Sequence, residues 1–296
     1  MSLSVTAPRF SAADYVSLVK PGITRMVIFT TFGGMLVVPG PTDLVMATLT
    51  VLGMVLVVGG ANALNCYLER DTDALMTRTA DRPLPAGRMA PPSALRFGLL
   101  TSGAALPILA LGASLQAALL AGLALFAYVL VYTPLKRRSP VSTLVGAFPG
   151  ALPPLIGYVA KAGEIGAPGV LLFAILFLWQ MPHFYAIGLF RKDEYAAAGL
   201  QIVSVVYGEK ATRIQMARYS TALVAVSLLM GPMAGAGPIY LIGAALFGLA
   251  FLALNVYGAL ARELADSWAR RVFHASLIYL AGVVVLLVVD AWVGAA

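Results

Sequence analysis

The chain has 296 residues, of which 60% are hydrophobic and 11% charged, and its mean hydropathy is +0.89. Soluble domains carry about a quarter charged residues, so this composition excludes a soluble protein and indicates a membrane protein. The net charge of +7 does not indicate a nucleic-acid partner, because the basic residues follow the membrane topology described below.

The first 22 residues, MSLSVTAPRFSAADYVSLVKPG, contain no apolar segment typical of a signal peptide and are not rich in arginine and serine. We therefore expect neither a cleavable signal nor a transit peptide, and a bacterial cytoplasmic membrane fits best. The only cysteine, Cys66, cannot form an intrachain disulfide, and one cysteine with two histidines excludes a Cys/His zinc site.

Apolar stretches recur along the whole chain, and a helix that crosses a bilayer needs about 17 to 25 such residues. They predict an all-α membrane protein in which nine transmembrane helices surround a central cavity, with residues 1–296 forming a single domain. In chain order, the predicted spans are residues 24–38, 44–64, 95–113, 116–133, 141–160, 167–190, 216–236, 239–260 and 272–293.

The positions of the basic residues predict the orientation of these spans. With a cytoplasmic N-terminus, nineteen of the twenty Lys and Arg residues fall in cytoplasmic segments, and only Lys161 falls outside. This positive-inside bias supports a cytoplasmic N-terminus and an outer C-terminus. A basic cytoplasmic face also attracts anionic lipid headgroups and anionic substrates.

The end of the second span carries the first candidate site. The segment from Val51 to Met76 contains no proline, so we expect its helix to continue beyond the apolar part of the span. Asn65, Glu69 and Asp73 are four residues apart and therefore project from one face of this helix. Their oxygens are hard ligands that suit Mg²⁺ together with substrate phosphates, so we interpret the triplet as functional.

The next segment, RTADRPLPAGR, is a loop by its prolines and glycine, and its arginines include Arg78 and Arg82. Guanidinium groups beside a metal-binding triplet indicate a diphosphate site, because they make bidentate contacts with phosphate oxygens. The alternative is that these are ordinary loop charges that satisfy the positive-inside rule. We assign Arg70 and Arg96 to that class.

A second polar group lies in the next large cytoplasmic segment, residues 178–213. His183 lies near the end of the sixth span, beside Trp179, Gln180 and Tyr185. A histidine within a span is a functional candidate, because polar groups at such depth are costly, and a hydrogen bond to a neighbouring carbonyl is the alternative.

The same segment contains a second group of charges, which indicates one site with two walls on the same side of the membrane. Its polar residues after the span are Arg191, Lys192, Asp193, Glu194, Tyr195, Glu209, Lys210 and Arg213. His274, preceded by Arg270 and Arg271, is expected to be interfacial and structural.

Six segments of the chain resemble the intramembrane prenyltransferases of the UbiA superfamily. They are LVKPGIT at 18–24, NCYLERDTDALMTRTADRPLPAGR at 65–88, YTPLKRRSP at 132–140, GALPPLIGY at 150–158, LWQMPHFYAIGLFRKDEYAAAG at 178–199 and ARRVFHASLIYL at 269–280. The first acidic motif alone is typical of the whole superfamily. LWQMPHFYAI together with RTADRPLPAGR resembles the haem O synthases within it.

This resemblance implies a UbiA-type fold and a Mg²⁺-dependent reaction in which farnesyl diphosphate alkylates a vinyl group of haem b, followed by addition of water. It implies that Asn65, Glu69 and Asp73 hold Mg²⁺, that His183 orients haem as an iron ligand or by a hydrogen bond, and that a haem A synthase acts downstream. The residues implied in substrate binding are Arg78, Arg82, Lys136, Arg137, Arg191, Asp193, Glu194 and Tyr195.

The sequence departs from this family in three places. Glu69 stands where an aspartate is common, a change that keeps the carboxylate and lengthens its reach. The segment SPVSTLVGAFPGALPP replaces a more polar run in one wall of the pocket, and GLQIVSVV lacks a proline pair. The departures leave the arginines and His183 unchanged.

Two alternatives stay open at this point. A related prenyltransferase that acts on an aromatic quinone precursor would share the triplet and the fold, but it would not need His183. A membrane transporter would be expected to bury charges near the middle of the membrane, whereas nearly all acids here lie at the cytoplasmic ends of the spans.

Overall fold

The computed structural model describes residues 11–294, and every regular element in this range is helical, without a β-strand. A π-helical segment, Ala127–Tyr132, directly joins the helix Leu115–Phe126 to the helix Thr133–Leu135. The α-helices are α1 (Ala12–Leu18), α2 (Pro21–Leu36), α3 (Leu44–Asp73), α4 (Pro91–Gly112), α5 (Leu115–Phe126), α6 (Thr133–Leu135), α7 (Ser142–Ala162), α8 (Ala167–Phe190), α9 (Lys192–Ala197), α10 (Val203–Val206), α11 (Gly208–Leu228), α12 (Met230–Ala234), α13 (Pro238–Leu260) and α14 (Asp266–Gly294).

Seven helical segments in the described part of the chain are long and apolar enough to cross a membrane, which confirms a multi-pass membrane protein. They are Leu44–Asp73, Pro91–Gly112, Leu115–Leu135, Ser142–Ala162, Ala167–Phe190, Pro238–Leu260 and Asp266–Ala291. The first and seventh predicted spans fall mainly on α2, which has only 16 residues, and on α11, whose first turns carry Glu209, Lys210 and Arg213. The count of nine spans therefore stays a prediction.

The helix α3 continues beyond the apolar part of the second span, as its lack of proline predicts. It begins after Asp43, whose carboxylate accepts two backbone N–H groups of the first turn. It ends at Asp73 rather than at Met76, and a series of turns begins at Ala74. The hydroxyl of Thr79 donates to the carbonyl of Asp73 at 2.7 Å, beside the backbone N–H of Met76 at 3.3 Å, and so caps the helix end.

The contact between α2 and α7 depends on glycine. A Cβ atom at Gly34 would collide with the carbonyl of Pro154, and one at Gly157 would collide with the carbonyl of Thr31. Small residues let helix backbones approach closely in a membrane, where van der Waals packing has to replace the hydrophobic effect. This close approach joins α2 to the middle of the bundle.

An apolar crevice lies between α2, α7, α8 and α14. Its lining includes Thr30, Pro154, Leu176 and Val283. A central cavity that opens both to the cytoplasmic side and to lipid stays a prediction.

Two charged side chains bind backbone groups on the predicted outer side. Lys161 Nζ donates to the carbonyls of Val38 and Gly40, both at 2.8 Å, just after the end of α2. The carboxylate of Asp290 accepts from the N–H groups of Gly237 and Tyr240 at the start of α13. Lys161 is the single base predicted outside, and its ammonium has a structural partner there.

The predicted topology can be tested with fusions at the two ends of α14. A reporter that is active only outside the cytoplasm should be active after the C-terminus and inactive when inserted between Leu260 and Asp266. The reason is that the positive-inside rule predicts the start of α14, with Arg262, Arg270 and Arg271 near it, on the cytoplasmic side. A C-terminal reporter with cytoplasmic activity would contradict the orientation.

Candidate active site

Three polar side chains at the C-terminal end of α3 each contact a cationic side chain from another segment. Asn65 and Asp73 are buried, and the side chain of Glu69 is 14% exposed. Their spacing of four residues places them along one face of the helix, as the sequence predicts. The three contacts differ in their partners and are described in turn.

Asn65 lies between Lys20 and Thr133. Lys20 Nζ donates to Asn65 Oδ1 at 2.7 Å, and Asn65 Nδ2 donates to Thr133 Oγ1 at 3.0 Å. Lys20 has a left-handed backbone, with φ of 50°, which is uncommon for a residue other than glycine and costs energy. Burial also lowers the pKa of Lys20.

The backbone beside Lys20 is fixed to α3. The carbonyl of Val19 accepts from Asn62 Nδ2 at 3.1 Å and from Thr24 Oγ1 at 2.8 Å. These bonds hold the left-handed turn that directs the Lys20 side chain at Asn65. Strained backbone held by its surroundings is a feature of functional sites, so Lys20 belongs to the candidate site.

Glu69 forms an ion pair with Lys136, which follows α6. Lys136 Nζ lies 2.8 Å from Glu69 Oε1 and 4.7 Å from the ring centroid of Tyr132. Burial lowers the pKa of Lys136, but Tyr132 and Glu69 together raise it more, so the pKa lies well above its usual range. The ion pair with Glu69 therefore favours the charged form of Lys136.

Asp73 forms an ion pair with Arg82 from the loop after α3. Arg82 Nη1 lies 2.7 Å from Asp73 Oδ2, and the Asp73 side chain is only 2% exposed. The Arg82 side chain is 22% exposed, so the guanidinium reaches from the buried carboxylate toward solvent. A phosphate group can approach it from that side.

The second acidic segment meets the first through Glu194. Glu194 Oε1 accepts from the backbone N–H of Arg78 at 3.2 Å and from the hydroxyl of Thr77 at 3.3 Å, while Oε2 lies 3.0 Å from Arg191 Nη1. Burial raises the pKa of Glu194, but the hydrogen bonds from Arg78 and Arg191 outweigh it and hold the pKa below its usual value. The two walls predicted from the sequence thus touch at one carboxylate.

The other predicted binding residues lie at the surface of this region. The side chains of Arg78, Arg137 and Asp193 are exposed. Tyr195 packs against a small apolar cluster that contains Met76. Arg78 takes part in the contact between the two segments only through its backbone.

His183 lies in an aromatic pocket between α8 and α14. Its ring stacks on Trp179 with centroids 4.7 Å apart and lies 4.8 Å from the ring of Phe273. His183 is 8% exposed, and its described contacts are with its own helix and with α14. Its ring contacts and hydrogen bond are therefore not shared with the triplet on α3. Arg270 lies over the ring of Phe190 at 4.6 Å, next to this pocket.

The hydrogen bonds around His183 determine which ring nitrogen carries the proton. Ser276 Oγ donates its only hydrogen to the carbonyl of Phe273 at 2.6 Å, so it accepts from His183 Nδ1 at 2.7 Å. Trp179 Nε1 donates to the carbonyl of Ser276 at 2.6 Å and fixes the same turn. Neutral His183 consequently presents Nε2 with a free lone pair.

Gln180 and His274 have structural contacts. Gln180 Nε2 donates to the carbonyl of Ala147 at 3.0 Å, which joins α8 to the part of α7 that departs from the family pattern. His274 is exposed, and its Nδ1 lies 2.7 Å from the carbonyl of Arg270. The interfacial, structural role predicted for His274 agrees with these contacts.

The oxygens of the triplet fit Mg²⁺ only in combination with a substrate. Within residues 11–294, no group of three or more His, Cys, Asp and Glu side chains is arranged to hold a metal ion. The triplet provides two carboxylates and one amide oxygen, all of which already attract cationic groups. Mg²⁺ commonly binds one or two carboxylates and takes its other ligands from phosphates and water, so this donor set suits a Mg²⁺–diphosphate complex.

Sequence reasoning missed three residues of these arrangements: Lys20, Thr133 and Ser276. The signal for Lys20 was a basic residue directly before Pro21 at the start of a membrane helix, within the segment LVKPGIT. Thr133 and Ser276 carry no comparable signal, since a hydroxyl in an apolar helix usually bonds its own backbone.

A comparison with protein families assigns the chain. The model of the UbiA prenyltransferase family matches residues 26–277. The chain belongs to the UbiA prenyltransferase family. This UbiA-family assignment includes α3, with its acidic triplet, and His183 on α8.

Several bacterial relatives of this UbiA-family chain carry one name, protoheme IX farnesyltransferase. The relative from Myxococcus xanthus is 49% identical over 279 residues, which covers 94% of this chain and 95% of the relative. The relative from Sorangium cellulosum is 54% identical over 232 residues, which covers 78% of this chain and 82% of the relative.

Solved structures confirm the UbiA fold. A structure described as digeranylgeranylglyceryl phosphate synthase has a TM-score of 0.80 at 19% identity and covers 94% of this chain and 98% of its own. A UbiA homologue from Archaeoglobus fulgidus, bound to GPP and Mg²⁺, has a TM-score of 0.65 at 15% identity and covers 93% of this chain and 99% of its own. At such identities the likeness shows the fold alone.

Proposed function

We propose that this protein is a protohaem IX farnesyltransferase that produces haem O. The observation that carries this function is the likeness to protoheme IX farnesyltransferases over nearly the whole chain, at 49% identity for the Myxococcus xanthus relative. Such a reaction needs one site for farnesyl diphosphate and one for haem. In this proposal the triplet with its three cationic partners is the first, and the aromatic pocket of His183 is the second. We also propose that residues 1–296 act as one domain in a bacterial cytoplasmic membrane.

The first half of the site binds farnesyl diphosphate. Lys20, Lys136 and Arg82 surround two carboxylates and one amide, so the region carries excess positive charge and attracts a diphosphate. Mg²⁺, when bound, neutralises phosphate oxygens and stabilises the leaving diphosphate. Asn65, Glu69 and Asp73 would hold it, while the cationic side chains bind the remaining diphosphate oxygens.

The exposed basic residues extend this binding region toward solvent. Arg78 and Arg137 have exposed side chains, and Glu194 joins Arg191 to the backbone N–H of Arg78, which supports a role for these bases in attracting the diphosphate. Asp193 and Tyr195 lie on the same short helix α9, whose position is fixed by the contact of Glu194 with Arg78. These residues guide and cover the substrate rather than take part in bond making.

The second half of the site orients haem b. His183 presents Nε2 with a free lone pair in an aromatic pocket, which suits an axial bond to haem iron or a hydrogen bond near the vinyl group. Arg270, which lies over the neighbouring ring of Phe190, is placed to bind a haem propionate. The rings of Trp179 and Phe273 pack against the imidazole of His183 and hold its orientation.

The reaction breaks the bond between C1 of farnesyl and the diphosphate oxygen, which leaves with the electron pair. The vinyl group of haem b forms a new carbon–carbon bond to C1, and water adds to the resulting cation and releases a proton to solvent. The basic side chains stabilise the charge that develops on the diphosphate, an effect commonly worth several kcal/mol. We propose that haem O then passes to a haem A synthase.

The test is product formation by the full-length protein in detergent or lipid vesicles. With farnesyl diphosphate, haem b and Mg²⁺, we expect a hydroxyethylfarnesyl haem by mass spectrometry and one diphosphate released for each haem consumed. A hydroxybenzoate offered in place of haem should not be farnesylated. Farnesylation of the hydroxybenzoate without any haem product would favour a quinone-precursor prenyltransferase, and neither product would contradict both.

A further inference from the structure

The hydroxyl of Thr133 determines which way the Asn65 amide points. Thr133 Oγ1 donates to the carbonyl of Tyr128 at 2.9 Å, which uses its only hydrogen. Toward Asn65 it can therefore act only as an acceptor, and it receives Nδ2 at 3.0 Å. Thr133 is 4% exposed and Asn65 is completely buried, so water does not compete for this contact.

The π-helical segment places Thr133 in this position. The backbone N–H of Thr133 donates to the carbonyl of Tyr128, five residues earlier, instead of to the residue four earlier as in an α-helix. Each residue turns a helix by about 100°, so the additional residue rotates everything after Tyr132 by that angle. Thr133 faces Asn65 and Lys136 reaches Glu69 in this rotated register.

The opposite end of the Asn65 amide meets a different partner. Lys20 Nζ is a pure donor and lies 2.7 Å from Asn65 Oδ1. The oxygen and nitrogen of an asparagine amide are nearly the same size, so packing alone does not distinguish the two orientations. Donor and acceptor chemistry at Thr133 and Lys20 does, and both partners favour the orientation in which the oxygen faces Lys20.

We propose that Thr133 is a positioning residue that holds the Asn65 amide with its oxygen toward the Mg²⁺–diphosphate complex. This inference rests on the proposed function, because it requires that Asn65 contributes a ligand. Without the hydroxyl, the amide could rotate and present its NH₂ group, which cannot bind a cation. Partners that orient metal ligands in this way typically contribute 10- to 100-fold to metal affinity.

The test uses Mn²⁺ as a paramagnetic probe for Mg²⁺ binding to the full-length protein in detergent, with inorganic diphosphate present. Thr133→Val keeps the branched shape and removes the hydroxyl, and it should weaken Mn²⁺ binding about 10- to 100-fold. Thr133→Ser keeps the hydroxyl and should bind Mn²⁺ within about threefold of the unchanged protein. In turnover assays, Thr133→Val should raise the Mg²⁺ concentration required while keeping most of kcat at saturating Mg²⁺.

Thr50 supplies the matched control. It is completely buried on α3, and its hydroxyl donates to the carbonyl of Met46 in its own helix. Thr50→Val should leave Mn²⁺ affinity unchanged. A similar loss of Mn²⁺ affinity in both valine variants would show a general effect of removing a buried hydroxyl and would contradict the proposal.

Two further variants separate the possible failures. In an Asn65→Ala background, Thr133→Val should have no additional effect on Mn²⁺ affinity, because the two residues act as one unit. If Asn65→Ala weakens Mn²⁺ binding but Thr133→Val does not, the positioning role is wrong and the metal site stands. If Asn65→Ala also leaves Mn²⁺ binding unchanged, the assignment of the triplet is itself wrong.

Discussion

Asp73→Ala is expected to reduce haem O formation by at least about 10²- to 10³-fold, the range seen when one charge-stabilising group is removed from an active site. The carboxylate is buried, is paired with Arg82 at 2.7 Å and lies on the face that carries Asn65 and Glu69. Its removal takes away a candidate Mg²⁺ ligand and releases Arg82. Glu69→Ala should have a similar effect, whereas Glu69→Asp should be mild. Product formation is measured by mass spectrometry.

Asp71 provides the matched control for this experiment. It lies on the same turn of α3, but its side chain is 80% exposed and its nearest charged partner, Arg70, is 3.8 Å away. Asp71→Ala should keep near-normal activity. The melting temperature of each purified variant should show that all are folded. Normal haem O formation by folded Asp73→Ala in the presence of Mg²⁺ would mean that the diphosphate site has been placed wrongly.

His183→Ala is expected to weaken haem binding at least 10-fold while changing the affinity for a farnesyl diphosphate analogue less than about twofold. The reason is that His183 contacts α14 and the rings of Trp179 and Phe273, whereas the candidate diphosphate ligands lie on α3. Imidazole is also a poor ligand for Mg²⁺ compared with carboxylate oxygen. Asp73→Ala should show the reverse pattern. Haem titration by Soret absorption and analogue binding by calorimetry measure the two effects separately.

The second histidine makes this comparison sharper. His274→Ala removes an exposed imidazole whose Nδ1 bonds to the carbonyl of Arg270, and it should leave haem affinity unchanged. Loss of analogue binding in His183→Ala with intact haem affinity would remove His183 from the haem side of the site. Equal losses in both histidine variants would show that any imidazole near this face binds haem adventitiously.

The sequence was sufficient for the features that depend on local spacing. Asn65, Glu69 and Asp73 are predicted to share a helix face because residues four apart in an α-helix lie on the same side of it. The continuation of α3 beyond the membrane followed from the absence of proline. Its end at Asp73 did not, because helix ends depend on capping contacts such as the one from Thr79.

Partner choice could not be predicted from local spacing. Lys20 lies 45 positions before Asn65 in the sequence, and Lys136 lies 67 positions after Glu69. Several other basic residues near the triplet satisfy the positive-inside rule equally well, so that rule does not select the partner. The π-helical register of Ala127–Tyr132 has no evident sequence signal, although it decides that Thr133 faces Asn65. The hydrogen on His183 Nδ1 likewise depends on Ser276, which belongs to another helix.

The chain is synthesised from its N-terminus, so the order of synthesis decides when each of these long-range pairs can form. Asp73 and Arg82 are nine positions apart and can pair almost at once, but Glu69 must wait for Lys136, which is 67 positions later. At roughly 5 to 20 residues per second this delay is roughly 3 to 13 s. All three partners of the α3 triplet have been made before His183 leaves the ribosome, so the charges of Glu69 and Asp73 can be neutralised in the membrane well before the aromatic pocket of His183 exists.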